Sequence, residues 1–223
     1  MPIAAYDEIA DWYAAYVDGV AAEFGVRVHQ LLDILLGQPI SPANLCVDIG
    51  CGTGARAEPL RELGWRPVGV DLSTGQLRHA LNVLPVVAAD AAALPIRTAS
   101  TDAVTSILCH TDLPDYVLVV QEAARILKPG GSFVHIGVHP AFTGAFADRS
   151  DSARIIVDST YHRRERRFDS FTPHGVRVRV GAWHTPLPEL LHTAIDAGLT
   201  ITGVKESSPD GGVPDMLGFK AIR

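Results

Sequence analysis

Three glycines stand at alternate positions in the stretch 45–54, which reads LCVDIGCGTG. A β-prone run precedes Gly50, Gly52 and Gly54, and a helix-compatible run follows them, so the stretch predicts a strand, a tight turn and a helix over 54–64. Glycines permit positive φ and a close approach of ligand to backbone, and the first N–H groups of a helix lack partners. The stretch therefore predicts a turn that binds a small ligand.

Asp48 constrains the charge of that ligand. Its carboxylate, two residues before the first glycine, would repel a pyrophosphate and suits a ligand that carries an ammonium or another cation. Gly50, Gly52 and Ala55 nevertheless fit the dinucleotide fingerprint G-x-G-x-x-G/A, with Asp71 about 20 residues further on. From these residues alone, a nicotinamide-dependent oxidoreductase stays an alternative.

Further motifs follow in order: RPVGVD ends at Asp71, DAAALP begins at Asp90, and LKPGG occupies 127–131. Together with VDIGCGTG, they resemble the class I S-adenosylmethionine-dependent methyltransferases over about residues 45–136. The resemblance implies an α/β fold with a doubly wound, Rossmann-like sheet of seven strands, the last of them antiparallel. It also implies S-adenosyl-L-methionine as the cofactor and S-adenosyl-L-homocysteine as its product, and it disfavours the nicotinamide alternative.

The same resemblance implies roles for single residues. Asp71 would accept both ribose hydroxyls, while Asp90 and the backbone N–H of Ala91 would read the adenine. Ser73 and Gln76 match a helix-capping box. The remaining residues that we expect at the cofactor are Tyr13, Asp48, Gly50, Cys51, Gly52, Leu72, Gln76 and Cys109.

Two histidines are the candidates for catalysis. Methyl transfer mainly needs two aligned partners and exclusion of water, and a hydroxyl or amine acceptor gains from a general base. His110 ends the predicted strand 101–108, whose tip faces the sulfonium in relatives. His184 lies in WHTPLP, which is similar to the HRPLS stretch of small-molecule family members. Each histidine could instead be a polar lining residue.

The remaining elements position these groups. Apolar spacing predicts helices within 6–36 and over 115–127 and 187–197, and strands at 66–71, 85–90, 132–138 and near 199–206 and 214–222. Residues 1–40 form a helical cap in this interpretation. Its YDEIADWY stretch is similar to the opening of small-molecule methyltransferases of the quinone-biosynthesis type, with Tyr6 and Tyr13 on one face. The alternative is an amphipathic helix whose aromatic residues only pack in the core.

Residues 138–181 interrupt the resemblance, and we expect this insertion to form a substrate lid. It contains the basic run RRERR at 163–167. It also contains a short alternating piece, Val176 to Val180, which predicts Arg177 and Arg179 on one face. The basic run is either a solvated surface or a clamp for an acidic substrate.

Composition limits the class of protein. The formal charge of −6 over 223 residues favours a small-molecule acceptor over nucleic acid or an anionic membrane. For a methyltransferase of this type we expect methylation on oxygen or nitrogen. Three cysteines without paired ligand spacing predict neither disulfides nor a metal site and fit a reducing cytoplasm. No run of 18 apolar residues occurs, so we expect a soluble, single-domain monomer or homodimer.

A protein that binds the cofactor without methylating, or that uses it as a scaffold, would share the same motifs, and an RNA-base methyltransferase is a minor alternative.

Overall fold

The structure is a computed structural model, and it describes residues 4–19, 21–40, 42–151, 154–169 and 175–223. Its strands, in chain order, are β1 (Leu45–Ile49), β2 (Arg66–Asp71), β3 (Val86–Ala88), β4 (Thr101–Ile107), β5 (Leu127–Val138), β6 (Ala147–Asp148), β7 (Ile156–Val157), β8 (Thr200–Ser207) and β9 (Met216–Ile222). Seven of these strands form one sheet in the order β3-β2-β1-β4-β5-β9-β8. Strands β1 to β5 pair in parallel and β9 pairs antiparallel with both neighbours, so the predicted sheet and its antiparallel last strand are confirmed.

The helices cover both faces of this sheet. They are α1 (Ala10–Asp18), α2 (Ala22–Leu35), α3 (Ala57–Glu62), α4 (Thr74–Ala80), α5 (Tyr116–Ile126), α6 (Val176–Val180) and α7 (Leu187–Asp196). Residues from α5 and α7, such as Val119 and Leu190, pack into one buried cluster with Phe219 of the sheet. Leu32 of α2 packs with Ile136 in a second cluster. The two apolar layers fix the sheet between helices, as in other doubly wound folds.

The helix after the first strand is shorter than predicted. It begins at Ala57 instead of residue 54, because Gly54 has a φ of +81°, outside the right-handed helical region. A side chain at Gly54 would also collide with Leu84, since an added Cβ would lie 2.7 Å from its Cδ2. The turn after β1 therefore extends beyond Gly54, and the first residues of the predicted helix are not helical.

Parallel pairing brings the ends of three strands to one edge. Ile49 is in register with Val70 of β2 and with Ser106 of β4. The segments that follow β1, β2 and β4 therefore leave the sheet side by side, where the strand order reverses around β1. This is the place where open α/β sheets bind ligands.

The insertion lies outside the seven-stranded sheet. Its β6 and β7 form a separate antiparallel pair of two residues each, and a 3-10 turn follows at Ser159–His162. The predicted alternation at 176–180 is wrong, because this stretch forms helix α6. Five residues are too few to separate a period of 2 from one of 3.6, and on a helix Arg177 and Arg179 point in nearly opposite directions.

Candidate active site

The turn after β1 has a backbone that requires glycine. Gly50 and Gly52 have φ values of +70° and +52°. A Cβ on Gly50 would lie 2.6 Å from the Cβ of Cys109, closer than two carbon atoms can approach. The backbone N–H of Gly50 donates to the carbonyl of Val70 at 2.8 Å, which holds the turn against β2. Only glycine allows the chain to pass between β2 and the loop after β4 here.

Asp71, the last residue of β2, is held from two sides. Its Oδ2 accepts a hydrogen bond from the N–H of Gly52 at 2.8 Å, and its Oδ1 accepts from the N–H of Ser73 at 2.8 Å. Burial raises the pKa of Asp71, and these two hydrogen bonds oppose that rise. The carboxylate is thus fixed beside the glycine turn, and its remaining lone pairs are available to a ligand.

A cavity of about 570 Å³ opens beside this turn, and we call it the glycine cavity. Nine of the eleven residues that the sequence predicts at a cofactor line it: Tyr13, Gly50, Gly52, Asp71, Leu72, Gln76, Asp90, Ala91 and Cys109. They come from the N-terminal cap and from the segments after β1, β2, β3 and β4. The fold therefore brings together residues that are up to 96 positions apart in the chain.

Two of the eleven residues lie elsewhere. Ile49 lines the glycine cavity, and its strand neighbour Asp48 consequently points to the opposite face of the sheet. There Asp48 Oδ1 accepts a hydrogen bond from Thr105 Oγ1 at 2.8 Å, and burial raises the pKa of the carboxyl to about 6. Cys51 packs against β2, with its Sγ 2.5 Å from the position that a Cβ of Gly69 would occupy.

Gln76 carries a clear signal of a missing polar partner. The sequence predicts it as the third residue of a capping box, and its backbone N–H donates to Ser73 Oγ at 3.1 Å, as in such a box. Both polar atoms of its side-chain amide, Nε2 and Oε1, are buried and have no hydrogen-bond partner among the described residues. Buried amides are nearly always paired, so this side chain, on the wall of the glycine cavity, is placed to bind a polar ligand.

A second cavity of about 420 Å³ adjoins the first, and we call it the histidine cavity. It lies between α1, the insertion and the loop after β4, and both predicted catalytic residues, His110 and His184, line it. Three buried polar atoms on its lining residues have no partner within the described chain: His110 Nδ1, Thr111 Oγ1 and His184 Nε2. The remaining walls are mostly aromatic and aliphatic, and Phe146 and Tyr16 are among them.

Burial keeps both histidines neutral. It lowers the pKa of His184 to about 4 and holds the pKa of His110 well below 6.5, and for His110 the neighbouring His135 and Arg177 act in the same direction. A neutral imidazole has one nitrogen with a free lone pair. Each ring is therefore in the protonation state that a base requires at neutral pH.

Three residues form the boundary between the two cavities. Tyr13, Leu108 and Trp183 line both of them. Leu108 has a φ of +58°, which is rare for a residue with a branched side chain. This strained turn sends Cys109 to the glycine cavity and His110 to the histidine cavity, and such strain is typical of functional sites.

The cap contributes to the site as well as to the core. The rings of Tyr6 and Tyr13 meet edge to face with centroids 5.1 Å apart, although Tyr6 precedes a 3-10 turn at Asp7–Ile9 and lies outside the helix α1 that carries Tyr13. Both residues line the glycine cavity. Burial raises the pKa of Tyr13 to about 12, so its hydroxyl stays protonated and can donate a hydrogen bond.

Sequence reasoning missed Arg56. This arginine lies just before α3, lines the histidine cavity and has no hydrogen-bond or ion-pair partner among the described residues. Burial lowers its pKa, and the charge of Asp48 opposes that effect. The position of Arg56 directly after the glycine turn is the feature of the sequence that could have identified it. The cation is placed to receive an anionic group.

The basic run of the insertion is largely neutralised within the chain. Arg163 pairs with Glu165 at 3.5 Å, Arg164 pairs with Glu189, and Arg167 pairs with Asp169 at 2.9 Å. Arg166 donates to the carbonyl of Val180. These pairings offset most of the charge of the run, of which Arg163 and Arg167 line the histidine cavity and Arg166 lines the glycine cavity.

Two further features concern ions and membranes. Within the ranges that the structure describes, no three His, Cys, Asp or Glu side chains are grouped closely enough to hold a metal ion. Across those same ranges, every helix is too short or too polar to cross a membrane.

Comparison with known proteins identifies relatives of this fold. Residues 47–135 match the family described as a methyltransferase domain. A demethylmenaquinone methyltransferase of Corynebacterium urealyticum is 36% identical over 93 residues, which are 41% of this chain and 40% of the relative. A demethylmenaquinone methyltransferase of Renibacterium salmoninarum is 31% identical over 157 residues, which are 64% of this chain and 65% of the relative. The chain thus matches less than two thirds of the length of either relative.

A solved structure has a similar fold over most of its length. An S-adenosylmethionine-dependent methyltransferase from Mesorhizobium loti superposes with a TM-score of 0.69 over 87% of this chain and 96% of that one, at 24% sequence identity. The comparisons confirm the resemblance on which the glycine turn, Asp71 and the LKPGG turn converged.

Proposed function

We propose that this chain, whose residues 47–135 match a methyltransferase domain and whose fold is similar to that of an S-adenosylmethionine-dependent methyltransferase, transfers a methyl group from S-adenosyl-L-methionine to a small acceptor. One observation carries the proposal. Nine residues predicted at the cofactor from motifs alone line a single cavity, and that cavity shares three wall residues with a second one that contains both candidate bases. Two adjoining cavities are what the transfer of a group between two bound molecules requires.

The residues of the glycine cavity fit this cofactor. Asp71 offers carboxylate oxygens for vicinal hydroxyls, and Asp90 with the N–H of Ala91 offers an acceptor and a donor for an adenine edge. The unpartnered amide of Gln76 supplies a further donor and acceptor inside the cavity. Tyr6 and Tyr13 would cover the bound molecule from the cap. When bound there, the cofactor supplies an electrophilic methyl group on a positively charged sulfur.

The histidine cavity favours an apolar ring compound as the acceptor. Phe146, Tyr16 and Trp183 provide flat apolar walls, and the neutral histidines provide polar contacts. The names of the two curated relatives specify demethylmenaquinone, and another relative of 29% identity is a 2-methyl-6-phytyl-1,4-hydroquinone methyltransferase. We propose a hydroquinone-like or phenolic acceptor, methylated on oxygen or nitrogen as the sequence suggested, or on carbon.

The chain's own residues would act mainly by placing the acceptor. Tyr13, Leu108 and Trp183 border both cavities and would hold the acceptor in line with the methyl group while excluding water. As the acceptor gains the methyl group, it loses one proton. His110 or His184, each neutral at pH 7, would take that proton on its free nitrogen.

Transfer of labelled methyl groups tests this function. The purified protein is incubated with S-adenosyl-L-methionine labelled in its methyl group and with a panel of hydroquinones, phenols and amines, and products are analysed by mass spectrometry. The proposal predicts a labelled product with at least one hydroquinone or phenol, and fragmentation identifies the methylated atom. Cofactor binding without labelled product across the panel would instead favour the non-methylating alternative. Binding of NADH instead of S-adenosyl-L-methionine would overturn both the methyltransferase proposal and the non-methylating alternative.

Two properties inferred from composition stay predictions. They are the cytoplasmic location and the monomeric or homodimeric state. Light scattering at micromolar concentration distinguishes the two states, and cell fractionation checks the location. Salt-dependent binding of tRNA would indicate the RNA-base alternative instead.

A further inference from the structure

The guanidinium of Arg56 lies on the side of the histidine cavity that α2 forms. A Cβ added to Gly25 of α2 would lie 3.5 Å from Arg56 Nη1 and 3.9 Å from its Nη2. Phe24 and Ala21 line the histidine cavity together with Arg56, and these three residues are not among those that line the glycine cavity. Although Arg56 closely follows the glycine turn in the chain, its charged group therefore reaches toward α2 and away from the predicted cofactor.

Arg56 is the unpaired charge of the histidine cavity. The other charged side chains that line it within the described ranges all have ionic partners: Arg163 with Glu165, Arg167 with Asp169, and Arg177 with Asp112. Arg56 has no hydrogen bond or ion pair in that part of the chain. Since a partly buried cation is costly without a counter-charge, its N–H donors are placed to receive an anion.

Asp48 is the acidic residue whose charge acts most strongly on Arg56. Burial lowers the pKa of Arg56, and the charge of Asp48 opposes that effect. Asp48 Oδ1 accepts from Thr105 Oγ1 at 2.8 Å, and the carboxylate forms no ion pair with Arg56. It offsets part of the charge of Arg56 without occupying the guanidinium donors. The position consequently suits a single negative charge better than a double one.

His29 adds a second polar group near the guanidinium. It lies four residues after Gly25 on α2, so the two residues share a face of that helix. Its Nε2 is buried and has no partner among the residues that the structure describes. Burial lowers the pKa of His29, and the charge of Arg56 lowers it further. The ring is therefore neutral at pH 7 and offers a hydrogen bond without a second charge.

These groups select a carboxylate among the common anions. The planar fork of a guanidinium matches the two oxygens of a carboxylate. A phosphate monoester carries close to two negative charges at pH 7, which one cation near Asp48 does not balance. Tyr16, Phe146 and Trp183 provide aromatic walls in the same cavity. A flat ring that bears one carboxylate fits both the charge and the walls.

We propose that Arg56 binds a carboxylate of the methyl acceptor, which makes the acceptor an aromatic carboxylic acid. The carboxylate would lie beside α2, and the atom to be methylated would lie toward Tyr13, Leu108 and Trp183, which border the glycine cavity. This assignment deepens the proposed function and rests on it for the identity of the ligand as the acceptor. The methionine part of the cofactor also carries a carboxylate, so a test has to separate the two sources.

Binding of acids and of their amides tests the site without reference to turnover. Calorimetry gives the Kd of 4-hydroxybenzoate, 4-hydroxyphenylacetate and 4-hydroxycinnamate, each beside its primary amide, for wild-type protein saturated with S-adenosyl-L-homocysteine. The three acids carry the carboxylate at increasing distance from the phenol. We expect at least one acid to bind about 10- to 150-fold more tightly than its amide, the range for hydrogen bonds to a charged group. If no acid binds more tightly than its amide, the assignment is overturned, and this comparison needs no variant.

A glutamine variant tests whether Arg56 supplies the preference. Arg56→Gln should abolish the preference for the acid, while the Kd of the amide stays close to its wild-type value. Arg56→Lys keeps the charge without the planar fork and should retain only part of the preference. Arg61→Gln is the matched control, because it removes the same charge from α3 but Arg61 lies outside both cavities in an exposed pair with Glu58. A preference that persists in Arg56→Gln overturns the assignment.

Titration of S-adenosyl-L-homocysteine into the same variants identifies the source of the carboxylate. We expect Arg56→Gln and Arg61→Gln to bind it as the wild type does. Weaker binding of S-adenosyl-L-homocysteine by Arg56→Gln, with the preference for the acid intact, would place the cofactor carboxylate at Arg56 and overturn the assignment to the acceptor.

Methyl transfer separates this assignment from the proposed function. If the protein methylates no acceptor but an acid binds through Arg56, the proposed function fails and the carboxylate site stands. If neutral phenols are methylated as efficiently as the acids, and Arg56→Gln leaves kcat/KM for both unchanged, methylation stands and the carboxylate site is overturned.

Discussion

Arg177 of the insertion forms an ion pair with Asp112 of the loop after β4, and the two side chains are only 20% and 21% exposed. Arg177 lines the histidine cavity and Asp112 lines the glycine cavity, so the pair crosses the boundary between them. Tyr6 Oη also donates to Asp112 Oδ1 at 3.1 Å. The N-terminal cap, the loop after β4 and the insertion are therefore joined at the carboxylate of Asp112, at the boundary between the two cavities.

Loss of that carboxylate should destabilise the protein measurably. Asp112→Asn leaves the guanidinium of Arg177 partly buried without its anion, and we expect a loss of about 1–3 kcal/mol in the free energy of unfolding. Urea denaturation measures this loss. Glu58→Gln is the control, because its ion pair with Arg61 is exposed and should contribute less than about 1 kcal/mol. Equal losses in the two variants would show that the pair at Asp112 does not join the segments.

The glycine turn predicts a difference between two alanine variants. Gly50→Ala and Gly130→Ala both place a side chain at positive φ, with φ values of +70° and +78°. An added Cβ at Gly130 meets no atom within 4 Å, whereas at Gly50 it meets Cys109. We expect a loss of about 1–2 kcal/mol for Gly130→Ala from backbone strain, and about 1–3 kcal/mol more for Gly50→Ala from overpacking. Similar thermal midpoints for the two variants would contradict the close approach.

Burial of neutral histidines predicts a loss of stability in acid. The pKa of His135 is lowered to about 3, so below about pH 6.5 the unfolded chain binds a proton at this residue that the folded chain does not. The stabilisation that neutral His135 contributes to the free energy of unfolding is complete above about pH 6.5. It declines as the pH falls toward 3, by about 1.4 kcal/mol per pH unit within that window. His135→Phe should therefore show a smaller decline than the wild type in urea unfolding between pH 7 and pH 5. Parallel declines would refute a neutral, buried His135.

Replacement of each candidate base tests how the proton leaves the acceptor. Glutamine keeps hydrogen bonding but is no effective base, so His110→Gln or His184→Gln should reduce turnover by about 10²–10⁴-fold without weakening cofactor binding. Because burial lowers both pKa values, and His135, Arg177 and His184 face His110, the acid limb of the wild-type pH–rate profile should lie well below 6.5. If both variants retain full turnover on a hydroxyl acceptor, these histidines only position it.

Local patterns predicted the parts of the site that a short stretch of chain determines. The glycine turn and the strand-end aspartate Asp71 follow from motifs and periodicity, which act over a few residues, whereas the seven-stranded sheet follows from the family resemblance. Asp48 shows the limit of such reasoning, because its direction depends on the face of the strand that becomes buried. The pair of Arg177 with Asp112 joins residues 65 positions apart, and no local pattern specifies that contact. The helix α6 was missed because five residues do not determine a period.

The hydrogen bonds that join Tyr116 to His135 and Ser106 were equally beyond prediction. Tyr116 and Ser106 occupy positions that read simply as core residues of a helix and a strand, and His135 reads only as one of several histidines near the carboxyl ends of the strands. Their contacts depend on how α5 packs on the sheet, which is a property of the whole core.

Calorimetric titration of S-adenosyl-L-homocysteine into the wild-type protein and Asp71→Ala tests most directly whether the glycine cavity holds the cofactor. The variant removes an acceptor for two hydroxyls, and we expect a loss of about 1.5–3 kcal/mol of binding free energy, or roughly 10- to 150-fold in Kd. Asp102→Asn is the matched control, since Asp102 also accepts from a backbone N–H, that of Leu45, but lies outside both cavities. We predict saturable binding by the wild type and by Asp102→Asn, and the stated loss only in Asp71→Ala. Unchanged affinity in Asp71→Ala, with its fold intact by circular dichroism, would contradict the account.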